Sequence, residues 1–288
     1  MTQDIITTIT TKDDFKNTFI SAQIKATDKV MVHTALSKFY YVPGGPESLV
    51  QALEETINQG TIMMPSEVTT NCDPADWEYP PVKQDLIQLV RDNMPPYNPD
   101  TSPSEGLGIT PEYFRTLPDV VRSCHPYLPI AIWGKDKVQI ANKQPLDMPY
   151  GLNSPLDYLY QNDGKIIFLG TDYETCTILH YAESTIGRKT ETCSAATGID
   201  KNGKTIWTDY QNIDMDSYDD FNDLGLAFER NFPNEFNQVK LNNSFIKVIK
   251  IKPLINFARV WFKKKIKKFA ITRTLTPQKN YSSSYKEL

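Results

Sequence analysis

A threonine, a histidine and a glutamate stand three residues apart at Thr177, His180 and Glu183, where they could support acid–base chemistry. An apolar run at 165–169 and Gly170 precede them, which predicts a strand, a short loop and a helix. On such a helix the three side chains would share one face, with His180 in its early part. A carboxylate beside an imidazole fixes its tautomer, and a hydroxyl can hold a substrate. The spacing therefore indicates a general base, although a packed or surface histidine is the alternative.

A second candidate is the connection from His33 through Ser37 to the glycine pair Gly44 and Gly45, just before Pro46. It predicts a strand end, a loop bearing hydroxyl groups and the start of a helix. Free backbone N–H groups at such a start suit a phosphate, and glycine allows close approach. The loop matches neither a Walker loop nor a dinucleotide fingerprint, so a plain strand–loop–helix connection is the alternative.

The other chemically interesting positions are weaker. Cys176 and His180 are four residues apart, which permits a thiolate–imidazole nucleophile, although Cys176 also fits a small packed helix residue. His125 precedes a proline, and a structural role is expected for it. The proline-rich segment 94–104 could form a pocket wall or a rigid surface loop. No zinc-binding motif occurs and the three histidines are far apart, so no metal is expected.

These positions need elements to hold them, and apolar runs that alternate with helical patterns favour an α/β sandwich. The predicted strands are 29–33, 60–64, 128–133 and 165–169. The predicted helices are one that begins at Pro46, 84–91, 110–115, 155–160, about 175–186, 218–230 and 254–268. Residues 66–108 are otherwise irregular, and so long a loop in a compact domain is usually functional.

Composition and charge restrict the classes of function. The chain has 288 residues, of which 40% are hydrophobic and 23% charged, as in globular proteins. It shows no signal peptide and no apolar run long enough to span a membrane, and its four scattered cysteines suit a reducing, cytoplasmic compartment. Residues 240–288 hold 13 basic residues and one acidic residue, whereas the rest holds 18 basic and 34 acidic residues. So acidic a body repels nucleic acid and attracts small cations.

The basic run 263–268 could contact phosphate, anionic lipid or the acidic body, and a solvated helix end is the alternative. Contact of this segment with a membrane therefore stays open at this point.

Taken in order, the following stretches resemble the aminoglycoside 3-N-acetyltransferase family: VMVHTALSKFYYVPGG, GTIMMPS, DPADW with PPV, MPPYNPDTSPSEGLGITPEYFRT, VVRSCHP, GLNSPLDYLYQNDGKIIFLG, TILHYAE, DDFNDLGLAFE and INFARVWF. They extend from about residue 28 to 268, and all three histidines fall where the family carries histidine. The resemblance implies a three-layer α/β/α sandwich around a central mixed β-sheet, unrelated to the GNAT fold. It also implies one domain over residues 1–268, followed by a polar C-terminal tail over 269–288.

The resemblance also implies roles for individual residues. His180 would be the catalytic histidine, with Thr177 and Glu183 beside it. Acetyl-CoA would be held by His33, Thr34, Ser37, Val42, Gly44, Gly45, Ser102 and Ser104. Of these residues, Ser102 and Ser104 would lie beside the thioester. The carboxylates expected near the amine substrate are those of Asp73, Glu112, Asp214, Asp216, Asp219 and Asp220. One of the four aspartates at 214–220 is an alternative to Glu183 for orienting the imidazole. Two positions depart from the family: Thr34-Ala35 stands where the family usually has Ser-Ser, and Asn98 stands where it commonly has Asp.

The function that the resemblance implies is acetyl-CoA-dependent N-acetylation of an aminoglycoside amine, by direct transfer with His180 as general base. An amino-sugar N-acetyltransferase of surface-polysaccharide or secondary-metabolite synthesis is an alternative. From a different class, a non-catalytic CoA-binding or membrane-docked partner would use the basic C-terminal segment, and a thiol hydrolase would use Cys176. The expected partner is a small cationic amine, without nucleic acid, and the expected state is a monomer or homodimer.

Overall fold

A seven-stranded mixed sheet forms the middle layer of the computed structural model, which describes residues 5–215 and 220–275. The strands are β1 (Lys29–Thr34), β2 (Thr61–Pro65), β3 (Val121–Arg122), β4 (Ile130–Gly134), β5 (Lys165–Leu169), β6 (Thr190–Ile199), β7 (Thr205–Ile213), β8 (Phe236–Leu241) and β9 (Ser244–Lys250). The order in the sheet is β3-β4-β2-β1-β5-β9-β8, and β6 pairs with β7 in a separate hairpin. β1 is parallel to β2 and β5, whereas the outer pairs are antiparallel.

Helices cover both faces of this sheet. They are α1 (Lys12–Ser21), α2 (Pro46–Thr56), α3 (Ile87–Asn93), α4 (Ile109–Arg115), α5 (Lys137–Ala141), α6 (Pro155–Gln161), α7 (Leu179–Ser184), α8 (Phe221–Asn231) and α9 (Ile251–Leu275). One buried cluster joins α1, α2 and α4 to Val30 and Val32 of the sheet. A second buried cluster connects helices α5 through α9 with Met31 and Phe168 of the sheet. The expected three-layer α/β/α sandwich is therefore confirmed, because β1 alternates buried side chains to both faces.

The parallel strands bring three connections to one edge of the sheet. β1, β2 and β5 all end there, and Thr34 lies beside Leu169 in the register. Gly170, which follows β5, has a φ of +67°, and a Cβ atom at this position would lie 3.1 Å from the carbonyl oxygen of Ala35. A glycine is thus required where the two loops come together. Ligands of open α/β folds bind at such a carboxyl edge.

The irregular segment 66–108 is fixed to this edge by buried polar contacts. The guanidinium of Arg122 donates to the carbonyl oxygens of Ser66 and Ser102. Asn71, which is 3% exposed, donates to the carbonyl oxygens of Pro126 and Ala196 and accepts from the N–H of Ala196. Because Ala196 lies in β6, the segment and the β6–β7 hairpin form one connected unit.

Several predicted boundaries need correction. The predicted helix at 175–186 is interrupted, because the Asp172 side chain accepts the Tyr173 N–H and starts a short 3-10 turn at Tyr173–Thr175. α7 begins only at Leu179, and His180 is its second residue. The hairpins β6–β7 and β8–β9 were not predicted.

The helix predicted at 254–268 is longer than predicted. α9 extends from Ile251 to Leu275, because neither proline nor glycine interrupts the sequence between Pro253 and Pro277. The division into a domain over 1–268 and a tail over 269–288 stays a prediction. The remainder of the predicted tail, 276–288, lies outside the described residues.

Gly225 of α8 offers a test of the packing beneath the carboxyl edge. A methyl group added there would lie 2.1 Å from ring carbons of Tyr173. Overpacking costs about 1–3 kcal/mol, whereas alanine gains roughly 0.5–1 kcal/mol over glycine in a helix. We therefore expect Gly225→Ala to lower the free energy of unfolding, measured in urea. The neighbouring exposed Leu226 gives the control Leu226→Ala, which should change it by about 0.5 kcal/mol or less. Equal stability of wild type and Gly225→Ala would contradict the packing.

Candidate active site

His180, Glu183 and Arg188 form a hydrogen-bonded chain beside the carboxyl edge of the sheet. The Nδ1 atom of His180 lies 2.8 Å from Oε2 of Glu183, whose Oε1 accepts from the guanidinium of Arg188. The Glu183 and Arg188 side chains are 1% and 2% exposed. Arg188 also donates to the carbonyl oxygen of Asp214. A buried carboxylate needs such a partner to stay ionised, so Arg188 compensates the charge of Glu183.

This arrangement fixes the state of the imidazole. An ionised carboxylate can only accept hydrogen bonds, so Nδ1 of His180 carries a proton, and in the neutral imidazole the lone pair is on Nε2. The His180 side chain is 16% exposed, so the ring is not sealed inside the protein. His180 therefore has the tautomer that a general base requires. The spacing of the sequence predicted this pair, whereas Arg188 was missed.

Aromatic rings flank His180. The ring of Tyr150 lies nearly parallel to the imidazole, with 6.1 Å between the ring centroids and an angle of 16°. Phe221 of α8 lies at 5.2 Å and an angle of 59°. Both rings therefore pack beside the imidazole of His180. No periodicity in the sequence indicates these contacts, because they come from distant segments.

Glu67 is a further acidic residue at this site, and it was not among the residues predicted from the sequence. It lies two residues after β2, and its Oε1 accepts a hydrogen bond of 2.8 Å from the Tyr150 hydroxyl group. Burial raises the pKa of Glu67, whereas the Tyr150 hydrogen bond and, when its imidazole is protonated, the charge of His180 oppose that shift. An acid just after a buried strand at this edge was the available signal.

The loop predicted to bind the cofactor has a buried part and an exposed part. His33 is 5% exposed and packs 5.6 Å from the Phe168 ring, and burial lowers its pKa to about 3. Val42 is also in the core, and Thr34 is partly buried. Ser37 and Gly44 are exposed, and Gly44 and Gly45 take positive φ angles immediately before α2. The surface of this loop is therefore built of backbone groups and hydroxyls, with His33 beneath it.

The other residues predicted near the substrate and the thioester form ion pairs or hydrogen bonds within the protein. Asp73 is held by the guanidinium of Arg91 at 2.6 Å. Glu112 pairs with Arg115 and accepts from the Ser104 hydroxyl group at 2.6 Å, and these hydrogen bonds hold the pKa of Glu112 near 2. Ser102 accepts from the Asn98 N–H. Their contacts order the 66–108 segment around the site, and none of them is a contact with His180.

The remaining predicted acids and Thr177 have these positions. Thr177 is 8% exposed, and its carbonyl oxygen accepts from the His180 N–H at the start of α7. Asp214 supplies the carbonyl oxygen that Arg188 contacts. Asp220 accepts from the indole of Trp261 and pairs with Lys265. Asp216 and Asp219 lie outside the described residues. Glu183 is thus the carboxylate that contacts the imidazole of His180 in the described structure.

Two alternative reactive groups are buried. His125 is 3% exposed; its Nδ1 accepts from the N–H groups of Tyr127 and Leu128, and its Nε2 contacts the Leu146 carbonyl oxygen. The structural role expected for His125 is confirmed. Cys176 is 1% exposed within the larger core cluster, and burial raises the pKa of its thiol well above the ordinary value. A thiolate at Cys176 is therefore strongly disfavoured.

Within residues 5–215 and 220–275, no three histidine, cysteine or acidic side chains are grouped so as to hold a metal ion. Over the same ranges, no helix combines the length and apolarity needed to cross a bilayer.

Comparisons with known proteins agree over most of the chain. Residues 31–263 match the family described as Aminoglycoside 3-N-acetyltransferase. The SPbeta prophage-derived aminoglycoside N(3')-acetyltransferase-like protein YokD of Bacillus subtilis is 33% identical, over 81% of this chain and 85% of the relative. Aminoglycoside N(3)-acetyltransferase IX of Micromonospora chalcea is 30% identical, over 72% and 73%.

Solved structures show the same fold. The crystal structure of YokD from Bacillus subtilis has a TM-score of 0.80 at 31% identity, covering 89% of this chain and 94% of that chain. The aminoglycoside acetyltransferase AAC(3)-Xa has a TM-score of 0.78 at 25% identity, covering 89% and 93%.

The buried histidine His125 predicts a pH-dependent stability. Burial lowers its pKa to about 4, whereas an unfolded histidine titrates near roughly 6.5. Between these values the unfolded chain binds more protons at this residue, so the contribution of His125 to the free energy of unfolding falls as pH falls, by about 1.4 kcal/mol per pH unit. We expect His125→Gln to be less stable than wild type at pH 7, and its stability to fall less steeply between pH 6 and 5. Urea titrations at pH 7, 6 and 5 measure both effects, and an unchanged slope would contradict the assignment.

Proposed function

The chain belongs to the aminoglycoside 3-N-acetyltransferase family and is therefore an acyltransferase, and we propose that it transfers acetyl from acetyl-CoA directly to an aminoglycoside amine. In this proposal His180 is the general base. The observation that carries it is the Nδ1 hydrogen bond of His180 to a buried, arginine-paired Glu183, which leaves the Nε2 lone pair available.

The proposed reaction balances within a ternary complex. The neutral amine nitrogen attacks the carbonyl carbon of the thioester while Nε2 of His180 takes a proton from that nitrogen. The C–S bond then breaks, and the imidazolium returns the proton to the leaving sulfur. Glu183 stabilises the transient imidazolium, because its carboxylate already holds Nδ1–H.

Direct transfer is favoured over a covalent intermediate. A nucleophilic cysteine must ionise, but Cys176 is 1% exposed and burial raises the pKa of its thiol. Direct attack by the amine requires no nucleophile from the protein, so it makes no demand on Cys176.

For acetyl-CoA we assign the surface from Ser37 to Gly45 and the start of α2. Gly44 and Gly45 have φ angles of +78° and +57° before an 11-residue helix, whose first N–H groups have no partner within the helix. Such groups suit the phosphates of the cosubstrate. In the same proposal, Ser102 and Ser104 lie near the thioester, and Thr177 supports His180. The four free cysteines fit a reducing compartment, so we propose that the enzyme acts in the cytoplasm.

The role of His180 is tested by comparing two single variants. Positioned acid–base groups contribute roughly 10²–10⁴-fold to rate, so His180→Ala should lose kcat by a factor in that range. Cys176→Ala is the control and should retain kcat within a few-fold. Rates of CoA release with gentamicin, glucosamine and a nucleotide-linked amino sugar measure kcat and identify the acceptor class. An acetylated Cys176, detected by mass spectrometry after mixing with acetyl-CoA, would overturn direct transfer.

Glu183→Gln tests the tautomer. Arg188 would hold the amide oxygen of the new side chain, so its NH₂ group would face Nδ1 and place the imidazole proton on Nε2. We expect kcat to fall by on the order of 10²–10⁴-fold, as when a catalytic histidine is held in the wrong tautomer. Glu235→Gln, which breaks an ion pair with Lys250 at the sheet edge, is the matched control. A folded Glu183→Gln enzyme with normal kcat would exclude this role for the carboxylate.

A further inference from the structure

We propose that Glu67 binds a second ammonium group of the acceptor while His180 takes the proton from the amine that is acetylated. This inference rests on the proposed function, and it names the residue that selects acceptors with several amino groups.

The Glu67 carboxylate is held in a fixed position at the carboxyl edge. The Oε1 atom of Glu67 accepts a hydrogen bond of 2.8 Å from the Tyr150 hydroxyl group, and the backbone carbonyl oxygen of Glu67 accepts one of 3.0 Å from the Glu105 N–H. The preceding residue, Ser66, is held by Arg122. Both the backbone and the side chain of Glu67 are therefore placed before any ligand binds.

Glu67 differs from the neighbouring acids in its partners. Asp73 pairs with Arg91, Glu112 pairs with Arg115 and Glu183 pairs with Arg188. Glu105 accepts hydrogen bonds from Thr69 and Thr70 on the surface. In the described part of the chain, by contrast, the ion pairs include no lysine or arginine that pairs with Glu67.

A half-buried carboxylate without a cation is costly, and burial raises the pKa of Glu67 accordingly. An ammonium group bound there would supply the missing positive charge through a charge-assisted hydrogen bond. A hydroxyl group at the same place would not supply that charge. The site therefore distinguishes an amine from a hydroxyl.

Tyr150 links Glu67 and His180 at one site. The Tyr150 ring lies nearly parallel to the imidazole, with 6.1 Å between the centroids, and its hydroxyl group contacts the carboxylate. The carboxylate and the imidazole are thus neighbours of the same tyrosine side chain. Aminoglycosides carry several amino groups on one aminocyclitol ring and on the rings attached to it. One acceptor molecule can then present one amine to Nε2 and another to Glu67.

The test is the Glu67→Gln enzyme, with acceptor pairs that differ by one amine-to-hydroxyl replacement. Kanamycin B and kanamycin A form one pair, and neamine and paromamine form another. We expect wild type to prefer the amine in at least one pair, and Glu67→Gln to lose that preference with an acceptor KM raised on the order of tenfold. The KM for acetyl-CoA should change by no more than about twofold, and kcat should fall by a smaller factor than the acceptor KM rises, because the second amine does not take part in the reaction.

Two controls separate binding from structure. Asp85→Asn removes an exposed carboxylate of the same 66–108 segment, paired with Lys83, and should leave all constants unchanged. Glu67→Asp retains the charge and should keep part of the amine preference. Melting temperatures should show Glu67→Gln at least as stable as wild type, because the variant removes a carboxylate that no lysine or arginine compensates.

An unchanged acceptor KM and amine preference in Glu67→Gln would overturn the inference. So would parallel losses in kcat, acetyl-CoA KM and melting temperature with the preference intact, since these indicate a structural role. Calorimetric titration with kanamycin B makes the same comparison without turnover. A wild-type enzyme that acetylates none of these compounds, although it acetylates another amine, would reject the proposed acceptor class and the inference together.

Discussion

The buried ion pair between Glu183 and Arg188 is the interaction on which the rest of the site depends. Without the guanidinium, the charge of a carboxylate that is 1% exposed would have no buried counter-charge, and the hydrogen bond to Nδ1 of His180 would lose its support. The same guanidinium holds the Asp214 carbonyl oxygen after β7. One buried cation therefore determines both the tautomer of the imidazole and the path of the chain that passes beside it.

The sheet supplies the second constraint, because three parallel strands end at one edge. The loop with Gly44 and Gly45, the Glu67 segment and the His180 segment follow β1, β2 and β5 respectively. The helix layers on both faces hold these strands rigidly, so the loops can be irregular without losing their relative positions. The long 66–108 segment contains only one α-helix, the short α3, and is held at this edge mainly by arginine and asparagine contacts.

The sequence predicted what depends on local spacing and missed what depends on distant partners. The pair His180 and Glu183 follows from an i, i+3 relation, and β5 was placed at its observed bounds. Tyr150, Glu67 and Arg188 join the site through contacts that no periodicity encodes. Asp73 was expected near the substrate from the family resemblance, and its pairing with Arg91, 18 residues away, could not be inferred. α7 begins later than predicted because one Asp172 hydrogen bond favours a 3-10 turn.

The buried amide of Asn71 has a consequence for how this protein can diverge. Two of its three hydrogen bonds, both to Ala196, join the 66–108 segment to the β6–β7 hairpin, and the Trp207 indole adds a bond from the hairpin to the Arg91 carbonyl oxygen. An insertion or exchange in either segment would leave buried amide groups of the other unsatisfied. The two segments should therefore be inherited together, and a chimera of two homologues would need to take both from the same parent.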